Sequence, residues 1–173
     1  MFGLSSSAGV FGAIADMLVA IYQAAGLGIL TKWVDDFLVI QLPGQTWTEE
    51  DFTSLTKNIG VLWSHAKTRT FASVQQYIGF DWNLASKSVA LLAEKLKSIL
   101  HLVSCWLMGK ATFSASKAVS LHGKLVHVSS IFTLIHPFLH SVVHFVTSFT
   151  TPRVCLQPPI YAHANLSWIN FLL

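Results

Sequence analysis

The apolar and polar positions in the first part of the chain predict one helix and one hairpin. Residues 10–25 form a long apolar run that is rich in alanine, which is typical of a buried helix. Residues 28–34 and 37–42 are shorter apolar runs with β-branched and aromatic members, and Asp35 and Asp36 lie between them. We therefore expect a β-hairpin that carries both carboxylates at its tip.

After this hairpin the spacing of apolar residues becomes that of a helix and then returns to that of strands. Thr46 and Glu49 have the spacing of a helix capping box, and an apolar stripe at helical spacing runs up to Gly60 (Trp47, Phe52, Leu55 and Ile59). Residues 70–91 then predict a second hairpin that turns at residues 83–86.

The C-terminal half of the chain predicts mainly helices. Three are expected, with a break at Pro137 (residues 93–108, 114–135 and 137–149). The tail after them contains several prolines and is expected to be irregular up to Asn165. Taken together, the elements predict an α+β fold.

The composition is unusually apolar for a small domain. Hydrophobic residues make up 53% of the 173 residues and charged residues 11%, whereas an ordinary soluble domain has about 25% charged residues. Intrinsic disorder is therefore excluded. One small core does not use this much apolar surface, so either a membrane or a partner is expected to cover part of it.

Two apolar stretches raise the question of membrane insertion. Asp16 lies in the middle of residues 8–30, where a charge costs about 3 kcal/mol at the bilayer centre. Residues 125–150 carry polar side chains on one helical face, which a lipid-exposed span does not need. A small membrane protein is the weaker alternative. An intracellular location, cytoplasm or nucleus, is favoured because Cys105 and Cys155 form no disulfide framework.

Charge is distributed unevenly along the chain. Residues 1–94 hold all eight acidic residues and five basic ones, a net charge of −3. Residues 95–173 hold no acidic residue and six basic ones, a net charge of +6. This asymmetry predicts that the C-terminal part binds a polyanion such as RNA or DNA, with Lys117 and Lys124 among the contacts.

The adjacent aspartates are the strongest candidate for chemistry. Two like charges a few ångströms apart repel each other and lose hydration, and a divalent cation removes that cost. A solvated turn with two aspartates is the alternative. The dipeptide Asp35-Asp36 alone does not decide between a metal site and a solvated turn.

The flanks of this dipeptide resemble the catalytic motif of reverse transcriptases. Residues 33–36 are similar to that family's aromatic-x-Asp-Asp sequence, although Trp33 stands in place of the usual tyrosine. In the family this hairpin belongs to the polymerase palm and binds metal. The resemblance therefore implies that Asp35 and Asp36 are catalytic ligands of Mg²⁺, or of Mn²⁺.

Residues 2–11 look like the template- and nucleotide-contacting segment of the same family. The resemblance implies this role for four residues (Phe2, Gly3, Ser5 and Ser6). Met1 and Gly9 depart from the family, because they stand where proline is frequent.

Three further segments resemble the family in the same order. Lys67 corresponds to a lysine proposed to protonate the departing pyrophosphate, although a lysine in a polar loop is as readily a solvated side chain. Residues 77–82 resemble the primer grip, which implies roles for Tyr77, Gly79 and Trp82. Residues 120–127 are similar to a Leu-x-Gly-Lys-Leu-x-His segment in retroelements that encode a tyrosine recombinase.

The ordered resemblances imply a fragment of a retroelement reverse transcriptase, with an incomplete palm over residues 1–91, a helical thumb over 92–150 and a connecting tail over 151–173. The family synthesises DNA on RNA by two-metal nucleotidyl transfer, with an RNA or DNA primer-template and a dNTP as partners. In the family, the fingers and a strand bearing another essential aspartate precede residues 2–11. Asp16 cannot replace that aspartate, because it lies within a predicted helix.

Such a fragment is expected to be inactive alone and to self-associate through the exposed edge of its hairpin. A non-catalytic nucleic-acid-binding remnant is the second interpretation. His136, His140 and His144 have a spacing that could bind zinc from one helix face, but a polar stripe that contacts nucleic acid or solvent is favoured.

Overall fold

The structure, a computed structural model, describes residues 7–173, apart from the side chain of Ala8. Within this range the chain is an α+β protein with six α-helices and three small antiparallel sheets, as the sequence predicts. The predicted template-contacting residues (Phe2, Gly3, Ser5 and Ser6) lie outside the described residues.

The chain divides into two compact units. The N-terminal unit comprises Met1–Ile78 and Trp82–Ser88, and the C-terminal unit comprises Gly79–Asp81 and Val89–Leu173. The N-terminal unit has six acidic and five basic residues, a net charge of −1, and the C-terminal unit has two acidic and six basic residues, a net charge of +4.

The N-terminal unit begins with the predicted helix and the predicted hairpin, and both are confirmed. Helix α1 spans Ser7–Ala24, strand β1 Ile29–Trp33 and strand β2 Asp36–Ile40. The strands pair in antiparallel register, with Trp33 opposite Asp36 at the tip.

A small aromatic core holds α1 and the hairpin together. Its buried residues come from α1, the turn after α1, β1 and the short helix Glu49–Ser54 (Leu18, Tyr22, Leu27, Leu30 and Phe52). The rings of Tyr22 and Phe52 stack with their centroids 4.3 Å apart. Thr56 is buried beside them, and its hydroxyl oxygen accepts a hydrogen bond of 2.8 Å from Nε1 of Trp63. Because the Tyr22 hydroxyl lies 3.2 Å from the same oxygen, the core contains a satisfied polar network.

Helix α2 differs from its prediction in position and length. It spans Glu49–Ser54, and its capping box joins Thr48 to Asp51, so the prediction of Thr46 and Glu49 is wrong. The Asp51 carboxylate accepts bonds from both the backbone N–H and the hydroxyl of Thr48, which fixes the start of the helix two residues later. A 3-10 helix, Lys57–Ile59, follows and ends at a glycine in the left-handed conformation.

The second β region contains three strands and two turns, whereas one hairpin was predicted. The strands β3 (Val74–Tyr77), β4 (Phe80–Asn83) and β5 (Ser88–Leu91) form a sheet in that order. The turn near residues 83–86 is confirmed. An additional turn separates Tyr77 from Phe80, because Ile78 and Gly79 both adopt positive φ angles, 46° and 87°.

The C-terminal unit is predominantly helical. It contains four α-helices, one 3-10 helix and a two-stranded sheet of β6 with β7 (α3 Ala93–Trp106, β6 Phe113–Ser114, α4 Ala115–Ser129, the 3-10 helix Thr133–Phe138, α5 Leu139–Thr147, β7 Cys155–Leu156 and α6 Ile160–Leu172). Ser114 caps α4, as predicted, by accepting a bond from the backbone N–H of Lys117.

Two predictions about this unit are wrong. Helix α4 ends at Ser129 rather than near residue 135, and a 3-10 helix that includes Pro137 takes up the following residues. The tail is also more regular than predicted, because β7 pairs with β6 and α6 begins directly after Pro159. Pro159 is the N-cap residue, and its carbonyl oxygen accepts bonds from the backbone N–H groups of Ala162 and His163.

The core of the C-terminal unit is formed by fully buried apolar side chains from its helices. Trp106 stacks on Phe113 with ring centroids 3.7 Å apart and meets Phe145 edge-on at 5.9 Å. Leu121, Leu125 and further aliphatic residues of α4 and α6 are completely inaccessible. Across residues 7–173, the structure contains no helix with both the length and the apolar character needed to cross a bilayer.

Candidate functional site

The hairpin tip presents both aspartates to solvent. Val34 and Asp35 form a two-residue loop, and Asp36 begins β2. Val34 has a φ angle of 55°, which is unusual for a β-branched side chain and indicates local backbone strain. Both carboxylates belong to exposed residues, so they are accessible to a ligand.

Lys32 attaches the hairpin to α1. Its ammonium group lies 3.0 Å from the Asp16 carboxylate and donates a hydrogen bond of 3.0 Å to the Gly12 carbonyl oxygen. Asp16 lies in α1 and forms this ion pair from the helix. These two contacts hold the end of β1 against α1, next to the hairpin tip that carries Asp35 and Asp36.

Tyr77 connects the second β region to the hairpin within the N-terminal unit. Its hydroxyl donates a long hydrogen bond of 3.3 Å to the Asp36 carbonyl oxygen, and Nε1 of Trp82 donates one of 3.2 Å to the Tyr77 carbonyl oxygen. Burial, followed by the charge of Asp36, raises the pKa of Tyr77. Tyr77 is therefore held as a neutral hydroxyl beside the aspartate hairpin.

Lys67 lies in a compact turn between the 3-10 helix and β3. Its backbone N–H, and that of Thr68, both donate to the Ser64 carbonyl oxygen at 2.9 and 3.0 Å. The turn orders the backbone, while the Lys67 residue itself remains exposed.

One cavity of about 1320 Å³ collects most of the predicted site residues of this unit. It is lined by Asp35, Asp36, Lys67, Tyr77 and Trp82, together with apolar side chains of α1 and β2. These five residues come from three separate segments of the chain. The cavity exceeds the range of roughly 300–1,000 Å³ that is typical of small-molecule pockets.

The protein groups available for a metal at this cavity are few. Across residues 7–173, no cluster of three or more histidine, cysteine, aspartate or glutamate side chains has the geometry to hold an ion. Mg²⁺ commonly uses one or two carboxylates, with water and substrate phosphates completing the shell. Asp35 and Asp36 are two exposed carboxylates on this lining, which is fewer than the three protein ligands of such a cluster.

Gly79, the third predicted primer-grip residue, belongs to the C-terminal unit and lies beside two basic side chains. A side chain at this position would clash with the Lys95 ammonium group, and its Cβ would lie 3.2 Å from Nε2 of His127. The His127 ring stacks on buried Phe80 with centroids 4.6 Å apart. Burial, followed by the charge of Lys95, lowers the pKa of His127.

Sequence reasoning did not include Lys95 and His127 among the site residues. Lys95 was one of six bases in the acid-free part, and His127 is the last residue of the Leu-x-Gly-Lys-Leu-x-His segment, but neither was given a role. The backbone conformation of Gly79, with a φ angle of 87°, would have been needed to recognise how closely Lys95 and His127 approach it.

Lys117 and Lys124 both lie on α4 and are exposed. They are seven residues apart, which places them on one face of the helix, about 10.5 Å apart along its axis. Of the three histidines considered for zinc, His144 is engaged elsewhere, because its Nδ1 lies 2.7 Å from the Tyr161 hydroxyl. Because this ring nitrogen already contacts the Tyr161 hydroxyl, the structure does not support zinc binding through it.

Comparison with protein-family models, curated proteins and solved structures gives no match for this chain.

Proposed function

We propose that the chain is the palm and thumb part of a retroelement reverse transcriptase, and that it is catalytically incomplete by itself. In this proposal residues 1–91 are the incomplete palm, and they comprise the N-terminal unit together with residues 79–81 and 89–91. The thumb follows to residue 150, and residues 151–173 are the connecting tail.

The cavity of the N-terminal unit is the observation that carries the proposal. Asp35, Asp36, Lys67, Tyr77 and Trp82 were selected from the sequence by separate motifs, and all five line that one cavity. The Tyr77 hydroxyl of β3 also donates a bond of 3.3 Å to the Asp36 carbonyl oxygen, so β3 contacts the aspartate hairpin directly. The shared lining therefore supports a common role for these residues.

Each residue has a definite task in this proposal. Asp35 and Asp36 would hold one Mg²⁺, or Mn²⁺, at the exposed hairpin tip. Bound metal would supply charge neutralisation at the phosphates and activation of the primer hydroxyl. Lys67 would donate a proton to the departing pyrophosphate, while Tyr77 and Trp82 would position the primer end beside the hairpin.

The C-terminal unit would bind the primer-template. Its net charge of +4 favours a polyanion, and Lys117 and Lys124 lie on one exposed helix face. Because phosphates are common to every sequence, this binding would be weak and without base preference.

Primer extension tests the catalytic part of the proposal. The assay uses an RNA template with Mg²⁺ or Mn²⁺ and compares the chain alone with a fusion to the fingers and aspartate-bearing strand of a related element. We expect no extension from the chain alone, because one aspartate pair cannot position two ions and a dNTP. The fusion should extend the primer if its departures from the family, Trp33 and Gly9 among them, are tolerated, and Asp35→Asn should abolish that activity.

Glu50→Gln is the matched control in the fusion, because Glu50 is an exposed carboxylate of α2 and should leave extension unchanged. Template-dependent extension by the unfused chain that disappears in Asp35→Asn would show that the palm is complete. A folded fusion that binds primer-template but never extends it would contradict the polymerase assignment.

A non-catalytic nucleic-acid-binding role is the second candidate. The shortage of metal ligands in the described part of the chain favours it, since two adjacent aspartates are the only predicted ligands. The same fusion separates the two functions, because a remnant without catalytic capacity would bind primer-template in every form and extend it in none.

A further inference from the structure

Two basic side chains of the C-terminal unit meet at one glycine. Lys95 lies in the first turn of α3 and His127 in the last turn of α4, and both approach Gly79. A Cβ at position 79 would clash with the Lys95 ammonium group and lie 3.2 Å from Nε2 of His127. All three residues belong to the same compact unit. An ammonium group and an imidazole are thus held together where the absence of a side chain leaves room for them.

The His127 ring is held in place by an apolar contact. It stacks on Phe80, the residue after Gly79, with ring centroids 4.6 Å apart and an angle of 24° between the ring planes. Phe80 is itself buried, so this support is part of the core. The Nε2 edge of the imidazole is therefore positioned beside Gly79 before any ligand binds, which lowers the ordering cost of binding.

Neither basic group has an acceptor in the part of the chain that the structure describes. There the Lys95 ammonium group and the His127 ring form no hydrogen bond or ion pair, and both residues are exposed. An ammonium group has three donors, and an imidazole has one or two. The charge of Lys95 contributes, after burial, to the lowered pKa of His127, so the two groups repel each other when both are charged.

The start of α3 adds positive potential at the same place. The N-cap residue Leu92 makes no side-chain hydrogen bond to the first turn of this 14-residue helix. The backbone N–H groups of a first turn carry a partial positive charge. Glu94 is the acidic residue of this turn, but side chains at adjacent helix positions do not face each other, and Glu94 forms no ion pair with Lys95.

The basic side chains of α4 lead towards this pair. Lys117, Lys124 and His127 are separated by seven and three residues, spacings that place them on one side of the helix over about 15 Å of its axis. Lys95 extends this row at its His127 end. The same unit has a net charge of +4. A row of this kind matches a chain of phosphates better than a single carboxylate.

We propose that Lys95 and His127 clamp one phosphate group of a nucleic-acid strand beside Gly79, at the end of the basic row on α4. One phosphate has several acceptor oxygens, so it receives hydrogen bonds from both groups at once and separates their charges. The proposal rests on the nucleic-acid binding proposed above and requires no polymerase chemistry.

The salt dependence of binding counts the phosphate contact. The measurement is fluorescence anisotropy of the full chain with a labelled primer-template over a salt series. Lys95→Gln should weaken binding about tenfold and reduce the log–log salt slope by about 0.7 to 0.9, because one phosphate contact is lost. Lys97→Gln is the matched control, since Lys97 is an exposed lysine of the same helix, and it should leave the slope unchanged.

A double-mutant cycle tests whether the two residues hold the same phosphate. His127→Asn alone should weaken binding about threefold, and Lys95→Gln with His127→Asn should lose about tenfold rather than the product of the two single losses. Lys95→Gln with Lys117→Gln is the control pair, whose losses should multiply because the residues contact different phosphates. Circular dichroism establishes that each variant is folded.

Two further probes distinguish the source of the anion. Polyglutamate offers carboxylates on a polypeptide, and its binding should be insensitive to Lys95→Gln. Inorganic phosphate lacks the neighbouring phosphates that contact α4. In a heteronuclear NMR titration it should therefore shift the His127 ring signals much less than the primer-template does at the same concentration of phosphate groups.

Four results would overturn the proposal. Equal changes in slope for Lys95→Gln and Lys97→Gln would mean that Lys95 contributes only general charge. Multiplying losses for Lys95 and His127 would mean that they do not share one phosphate. Polyglutamate binding that depends on Lys95 would assign the pair to an acidic polypeptide, and an equal response to inorganic phosphate would assign it to a free anion.

The proposed polymerase function fails on different evidence. A fusion with the upstream region that never extends a primer would contradict that function, yet it would leave the salt slopes and the double-mutant cycle unchanged. Conversely, a clamp excluded by these measurements would leave primer extension by the fusion as an independent result.

Discussion

The two compact units satisfy their backbones in different ways. In the C-terminal unit, four helices form most of their hydrogen bonds internally and pack large side chains such as Trp106 and Leu125 completely out of solvent. In the N-terminal unit, a two-stranded hairpin leaves its outer edges open and a cavity of about 1320 Å³ lies beside it. A helix completes itself, whereas a strand needs a neighbour.

Exposed apolar side chains do not separate the units in the same way. Leu62 of the N-terminal unit is 96% exposed, and Ile160 of the C-terminal unit is 88% exposed. The difference between the units is therefore in unpaired backbone and open volume rather than in surface hydrophobicity. This comparison predicts that the C-terminal unit depends on packing and the N-terminal unit on a few specific polar contacts.

Removing a central side chain of the C-terminal unit should have the largest effect. Trp106→Ala deletes a ring stacked on Phe113 and leaves a cavity, so the free energy of unfolding should fall by about 3–5 kcal/mol. Urea unfolding followed by far-UV circular dichroism measures the change. Trp168→Ala is the control, because Trp168 is largely exposed. Equal losses in both variants would argue against a packing-dependent core.

The polar network of the N-terminal unit should have the next largest effect. Thr56→Val preserves the shape of the buried side chain but leaves the Trp63 indole N–H without its acceptor. An unsatisfied buried donor costs about 1–3 kcal/mol, which urea unfolding should show as a lower midpoint. Thr53→Val is the control, since Thr53 bonds only a nearby carbonyl oxygen on the helix surface. If the two variants were equally stable, the network would not be a major support of this unit.

The elements with a local cause were predictable from the sequence. The run at residues 10–25 and the two runs beside Asp35 and Asp36 follow helix and strand periods, and α1, β1 and β2 form there. Ser114 was recognised as a helix start because its side chain caps the backbone locally. Where the residues of one segment alone determine its structure, the pattern of apolar and polar residues is enough to predict it.

The remaining elements depend on contacts that one segment does not contain. Two overlapping boxes were available in the sequence, and the structure forms the one in which Asp51 accepts bonds from both the backbone N–H and the hydroxyl of Thr48. β7 forms because Cys155 and Leu156 meet β6, some forty residues earlier in the chain. The proximity of Lys95 to Gly79 likewise needs the positive φ of Gly79, which the sequence did not reveal.

The salt dependence of nucleic-acid binding tests whether the charge difference between the units determines where nucleic acid binds. Replacing Lys117 and Lys124 with glutamine should reduce the log–log salt slope by about 1.4 to 1.8, since each lost phosphate contact removes roughly 0.7 to 0.9. The measurement is anisotropy of a labelled primer-template over a salt series. Lys57→Gln with Lys87→Gln, in the N-terminal unit, is the charge-matched control. A slope altered equally by both pairs would remove the distinction between the units.

The smallest expected effect is a pH dependence in the C-terminal unit. Burial, and next the charge of Lys95, lower the pKa of His127 from its usual 6.5. The unfolded chain therefore binds more protons than the folded chain just below that pH, and stability falls as the pH drops through this interval. His127→Asn should lose less stability than the unmodified chain between about pH 7.5 and about pH 5.5.

Urea midpoints at the two pH values measure this difference, and His122→Asn is the control on the same helix. If both histidine variants kept the pH response of the unmodified chain, His127 would not be the group responsible.

The positive φ of Val34 sets what kinds of substitution the hairpin tip tolerates. A β-branched residue in that conformation carries a local penalty of order 1–3 kcal/mol. Glycine, asparagine and aspartate avoid most of it, because they occupy left-handed backbone conformations readily. Valine is therefore not the residue that gives the hairpin tip its highest stability at position 34. Replacement of Val34 by one of these three residues is expected to stabilise the hairpin tip.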